Sequence, residues 1–173
     1  MPGLAAGAQH SATTSLVLPA GLVGGSYYLL AIADGDGAVP ETSETNNVWP
    51  AVIRVGPDLT IALLTVPRQA VAGATINITD QTKNLGAPVG ATTTYLYLSS
   101  DFTLDGSDVL LGTRAVGPLA FGAVSSGTTP VTLPAGLAAG HYYIFAMADG
   151  AGTTSEAVET NNTSLASIDV TTP

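Results

Sequence analysis

An acidic, amide-rich segment occurs twice in this chain of 173 residues. Asp34-Gly35, leading to Glu41-Thr42-Ser43-Glu44-Thr45-Asn46-Asn47, returns as Asp149-Gly150, leading to Glu156-Ala157-Val158-Glu159-Thr160-Asn161-Asn162. Each copy follows an aromatic strand-like run, Gly25-Ser26-Tyr27-Tyr28 or Gly140-His141-Tyr142-Tyr143, and precedes another β-like run. The offset is constant: 149 − 34 = 115, the spacing that also separates Pro134 from Pro19, and no gap is needed from Thr13 to Asn47. A fixed period constrains the fold before any local propensity does. Leu4, Gly7 and Ala8 match Leu119, Gly122 and Ala123, so the start of the sequence lies inside a unit. Pro57-Asp58-Leu59-Thr60 opens a new one. The chain reads as the C-terminal half of one unit (1–56) followed by one complete unit (57–171).

Within the complete unit the apolar residues alternate over short runs, and no segment holds a helical period. Leu59, Ile61 and Leu63 give a first strand that Pro67 ends; Ala74–Thr79 gives a second, Thr93–Ser99 a third and Val109–Val116 a fourth. Thr128–Leu133, Tyr142–Ala148 and Ser164–Val170 supply the fifth to seventh. About seven short strands separated by turn residues indicate an all-β, immunoglobulin-like antiparallel sandwich. The alternation places Leu59, Ile61, Ile76, Ile78, Leu96, Leu98, Leu133 and Ile168 in its core. The half unit should repeat the last three strands over Thr13–Leu18, Ser26–Ala33 and Val48–Val55.

Composition narrows the function classes. Four Lys and Arg face thirteen Asp and Glu, a formal net charge of −9, which opposes nucleic-acid binding and gives no polybasic attraction to a membrane. No apolar run reaches membrane-spanning length, so membrane insertion is not expected. Cysteine is absent, so the redox compartment cannot be read. Met1-Pro2-Gly3-Leu4 lacks the basic start of an export signal, which for an exported protein is expected outside this sequence.

The order Pro57-Asp58-Leu59, Tyr97-Leu98-Ser99-Ser100-Asp101, Leu104-Asp105-Gly106-Ser107-Asp108, Leu133-Pro134-Ala135-Gly136, Gly140-His141-Tyr142-Tyr143 and Glu156 to Asn162 resembles the bacterial cell-adhesion-related domain, CARDB. The resemblance covers 57–171, and its later half recurs over 4–55. It implies an immunoglobulin-like module from a tandem array of an extracellular or cell-surface protein, with no enzymatic activity.

Two acidic loops are candidate Ca2+ sites, since Ca2+ takes six to eight hard oxygen ligands. One is Asp101, Asp105 and Asp108 around Gly106, although an EF-hand would need a Glu six positions beyond the Gly. The other is Asp149, Glu156, Glu159, Asn161 and Asn162, repeated as Asp34, Glu41, Glu44, Asn46 and Asn47. The structural alternative is turn architecture, because Asx side chains cap their own backbone. Both readings stand at this point, and Ca2+ is the single cofactor they suggest. Three glycosylation sequons begin at Asn77, Asn161 and Asn162, a short pattern with a high chance rate.

An enzyme is hard to assemble from these residues. Nucleophilic catalysis needs an activated nucleophile beside a base, and the two histidines, His10 and His141, have no partner that the sequence identifies. The expected function is a non-catalytic structural or adhesion module of an extracellular array or filament. The alternative is a carbohydrate- or protein-binding surface module, stabilised by Ca2+, using aromatics such as Trp49, Tyr95 or Tyr97. The half unit carries strands without their partners, so Leu16, Leu18, Leu30, Ile32, Trp49 and Ile53 are candidate interface residues. Their expected partner is another copy of the chain, joined head to tail, and a glycan is the alternative ligand.

Overall fold

The computed structural model describes residues 3–173. Among the described residues ten strands form in chain order: β1 (Gly25–Ile32), β2 (Val48–Val55), β3 (Leu59–Thr65), β4 (Gln69–Val71), β5 (Thr75–Asn84), β6 (Thr92–Ser99), β7 (Val109–Val116), β8 (Val124–Thr132), β9 (Gly140–Met147) and β10 (Thr163–Thr171). No helix among the described residues is long and apolar enough to cross a membrane.

From β3 onward the strands make two packed sheets. One has the order β4-β10-β9-β6-β7 and the other β3-β5-β8. All pairings are antiparallel except β4 with β10, which is parallel. Each strand turns alternate residues toward the facing sheet, as pleating requires. Leu59, Ile61, Ile76, Ile78, Leu96, Leu98, Leu133 and Ile168 are all buried, joined by Val116, Val131, Ile144 and Val170. The all-β sandwich expected from the alternation is the fold observed. It has eight strands, the extra one being β4, whose three residues are too few to show an alternation.

Buried polar groups connect the two sheets. Arg114 of β7 donates Nε–H to Asp80 of β5 at 2.8 Å and pairs through its second nitrogen with the other carboxylate oxygen. Beside it the Thr82 and Thr94 hydroxyls bond at 2.7 Å. Gly127 leaves room for the Arg114 stem: a Cβ there would lie 2.5 Å from Arg114 Cδ.

The half unit departs from its expected three strands. β1 and β2 pair antiparallel from Gly25↔Val55 to Ile32↔Val48, but Thr13–Leu18 forms no strand. In the complete unit the corresponding strand, β8, is held along its length by β5. The half unit contains no counterpart of β5, so those backbone groups have no ladder to join.

Candidate functional site

The repeated acidic segment builds a corner before the last strand of each unit. In the complete unit Asp149 adopts φ +44°, a left-handed backbone that Asp tolerates better than most residues. Its buried carboxylate accepts from Thr154 N–H at 2.7 Å and from the Thr153 hydroxyl at 3.1 Å. Glu159 Oε1 accepts from Glu156 N–H at 2.8 Å, and Ala148 N–H donates to the Asn162 carbonyl at 2.8 Å. Gly150 lies under the Tyr95 ring, where a Cβ would come within 2.3 Å of the ring.

Glu156 is the deepest member, 2% exposed. One carboxylate oxygen accepts from Asn162 Nδ2 at 2.9 Å, the other from Leu59 N–H at the start of β3. Burial pushes its carboxyl up to about 7, the neighbouring Glu159 and Asp149 charges adding to the effect while the two donors oppose it. Further bonds tie the corner to the front of the unit. Asn161 Nδ2 donates to Asp58 at 2.7 Å, Thr60 donates to the Asn161 carbonyl at 3.1 Å, Ala157 N–H to the Pro57 carbonyl at 2.7 Å and Gly150 N–H to the Thr93 carbonyl at 2.9 Å. Asn84, which the repeat does not point to, is the next link. It is fully buried, accepts from Asp58 N–H at 3.1 Å and donates to the Leu119 carbonyl at 3.1 Å. Its position at the end of a strand with a polar inward face is the only signal.

The first copy reproduces the internal half of this pattern. Asp34 has φ +46° and caps Ala38 and Val39 N–H at 3.1 and 2.9 Å. Glu44 accepts from Glu41 N–H at 3.0 Å, and Ala33 N–H donates to Asn47 O at 2.8 Å. Among the described residues the bonds to the front of a unit have no counterpart there. Glu41 and Asn46 are exposed and Asn47 is half-buried. The apolar faces follow suit. Leu16, Leu18, Leu30, Ile32 and Trp49 are exposed, Trp49 by 75%, and Ile53 is half-buried.

The Asp101–Asp108 loop is closed by local side-chain-to-backbone bonds, with Asp101 and Asp105 exposed and Asp108 half-buried. Asp101 accepts from Thr103 N–H, Asp105 from Ser107 N–H and hydroxyl, and Asp108 from Asp105 N–H, all within 2.8 Å. The bonds from the Ser107 side chain and backbone hold the Asp105 carboxyl below its ordinary value. Each of the three carboxylates commits one oxygen to these turns. Among the described residues no three carboxylate or imidazole side chains converge as a metal centre. The corner carboxylates Asp149, Glu156 and Glu159 are likewise each engaged with backbone or side-chain donors.

The outer face of the five-stranded sheet carries aromatics. Phe102 stacks on Tyr143 with centroids 4.2 Å apart, Tyr95 and Tyr97 lie 6.2 Å apart, and His141 meets Tyr143 edge-on while bonding Asp169 at 2.7 Å. Tyr142 faces the core and returns its hydroxyl to the Ala138 carbonyl at 3.2 Å, as Tyr27 does to Val23 at 3.0 Å.

Comparison with known proteins agrees with this architecture. The CARDB family model matches residues 1–50 and again 56–166. The chain is similar to the crystal structure of the CARDB domain of the PF1109 protein from Pyrococcus furiosus, in complex with di-metal ions. Identity is 24% and the TM-score 0.53, over 68% of this chain and 96% of that one. The solution structure of the same domain gives 23% and 0.52, over 67% and 96%. No curated protein matches the chain.

Proposed function

Because this chain belongs to the CARDB family, modules of the surface and adhesion type, we propose that it is a non-catalytic structural or adhesive module of an extracellular repeat array. In this reading the half unit 1–56 is the head-to-tail joint to a neighbouring unit. The observation that carries it is the duplicated corner. Glu41 and Asn46 stand exposed in a preformed loop whose second copy engages Leu59 and Asp58. Exposed large apolar faces on a β-sheet mark contact surfaces. An antibody raised against 57–171 tests the location: it should label intact cells of the source organism. Labelling only after lysis would sink the extracellular reading.

The outer aromatic face supports a second reading as a carbohydrate-binding module. Tyr95, Tyr97, Phe102 and Tyr143, with the polar pair His141 and Asp169 beside them, offer stacking faces next to hydrogen-bonding groups. A glycan array separates the two, since a pure spacer leaves it blank.

A divalent cation is a further proposed component. Asp101, Asp105 and Asp108 each keep one carboxylate oxygen uncommitted, and a relative of this fold is described in complex with di-metal ions.

A further inference from the structure

We infer that the half unit is an acceptor for the front half of a CARDB unit, a segment with the chemistry of residues 57–115, and that Glu41 and Asn46 are the side chains that recognise its first strand. The inference rests on the reading of 1–56 as a joint and names what the joint takes.

The complete unit supplies the template. At the 115-residue offset, Glu41 corresponds to Glu156, Asn46 to Asn161 and Gly35 to Gly150. In the complete unit those three bind Leu59 N–H, the Asp58 carboxylate and the Thr93 carbonyl, all on the front half. The apolar faces correspond in the same way. Buried Leu119, Val131, Leu133, Ile144 and Phe145 stand where the half unit exposes Leu4, Leu16, Leu18, Leu29 and Leu30. The half unit has kept a core's residue types at positions that now face water, and the occupant that fits all of them at once is a second front half.

A folded copy of this chain is a poorer occupant. The front half of its complete unit is already covered by that unit's own back half. The junction between the half unit and the complete unit also depends on two glycines. A Cβ on Gly24 would lie 2.2 Å from the Ser155 carbonyl oxygen, and one on Gly56 would lie 2.9 Å from the Gly24 Cα, with φ +100°. At the C-terminal end of the complete unit the corresponding positions are Ala139 and Thr171. That end cannot repeat the same close approach to the corner of another copy.

The test joins a copy of residues 57–115 directly ahead of Met1, which corresponds to Val116, so that the natural spacing of a unit is restored. Amide hydrogen exchange over 26–32 and 48–55 should slow by about 100-fold or more relative to the unmodified chain, as local opening gives way to a cooperative unit. Trp49 and Tyr28 should report the change in near-ultraviolet dichroism. Glu41→Ala should reverse much of the added protection in the fused chain and leave the unmodified chain unchanged. Exchange as fast in the fusion as in the unmodified chain overturns the inference. So does protection of 26–32 and 48–55 that appears in the unmodified chain as its concentration is raised, because the occupant is then a second copy. That second measurement does not need the fusion to fold. Neither result bears on cell-surface labelling, so a failure here is distinct from a failure of the array reading.

Discussion

Glu156 and Leu59, 97 positions apart, are joined by a hydrogen bond in which the Leu59 backbone N–H donates to the Glu156 carboxylate. The bond ties the first strand of the unit to the loop that precedes its last. Leu59 opens β3 at zero exposure, and Glu156 is held from the other side by Asn162. A carboxylate in this place satisfies two donors that would otherwise be buried without partners, at a cost of roughly 1–3 kcal/mol each. That is a reason for Glu at this position that does not involve a metal.

The same burial makes stability depend on pH. Glu156 titrates at about 7 in the folded protein against an ordinary 4.5. Between those values the folded state binds the proton more tightly than the unfolded chain, so stability falls as pH rises through the window. Below it both states are protonated and above it both are ionised, and the contribution is flat. The amplitude is at most about 3 kcal/mol. Denaturant unfolding across this range should show the fall in the wild type and not in Glu156→Gln. The Gln amide is isosteric with the protonated acid that fills the site at pH 5, so the two proteins should lie within about 1 kcal/mol of each other there. Parallel pH profiles for the two proteins would remove Glu156 from this role.

Equivalent positions in the two copies should respond unequally. Ile144 has no exposure, while its counterpart Leu29 is 37% exposed. Truncating Ile144 to Ala opens a cavity in the sandwich and should cost roughly 2–5 kcal/mol. Leu29→Ala should stay well under 1 kcal/mol, being a change near the surface. Equal losses on chemical denaturation would mean that the half unit has a packed core of its own.

The residues that repeat with period two were the legible ones. Leu59, Ile76, Leu96 and Ile168 alternate with polar neighbours, and each is buried where that alternation places it. β5 runs on to Asn84, past the Thr79 at which its alternation fades, because Asp80, Thr82 and Asn84 occupy inward positions and look like a loop in the sequence. Each is buried and satisfied by a group remote in sequence: Arg114, Thr94 and Leu119. The corner residues were visible through their repetition, but the role of Glu156 was not, because its partner is a backbone N–H that carries no sequence signal. Thr13–Leu18 has a strand's pattern and lacks a strand's neighbour, which local alternation cannot reveal.

Arg114 and Asp80 should behave as a unit. Removing the guanidinium by Arg114→Ala leaves Asp80, at zero exposure, as an unpaired buried charge. Loss of roughly 3–5 kcal/mol is expected. The double variant Arg114→Met, Asp80→Leu replaces the pair by apolar groups and should recover most of that loss. A double variant no more stable than Arg114→Ala would show that the pair is needed for more than charge balance.

A cation site at Asp101, Asp105 and Asp108 requires the loop to turn its uncommitted oxygens inward. The Ser107 bonds favour the ionised form of the Asp105 carboxyl, the form in which a carboxylate oxygen serves as a ligand to a divalent cation. Binding to the folded state alone adds stability by mass action, about 2.7 kcal/mol when free Ca2+ is 100 times the dissociation constant. The melting temperature should therefore rise in saturating Ca2+ and return on addition of EDTA. The rise should vanish in Asp105→Asn and persist in Glu159→Gln, which lies in the other loop. Melts that coincide with and without Ca2+ would leave the local loop bonds as the whole role of these carboxylates. A rise abolished by Glu159→Gln but kept in Asp105→Asn would move the site to the repeated corner.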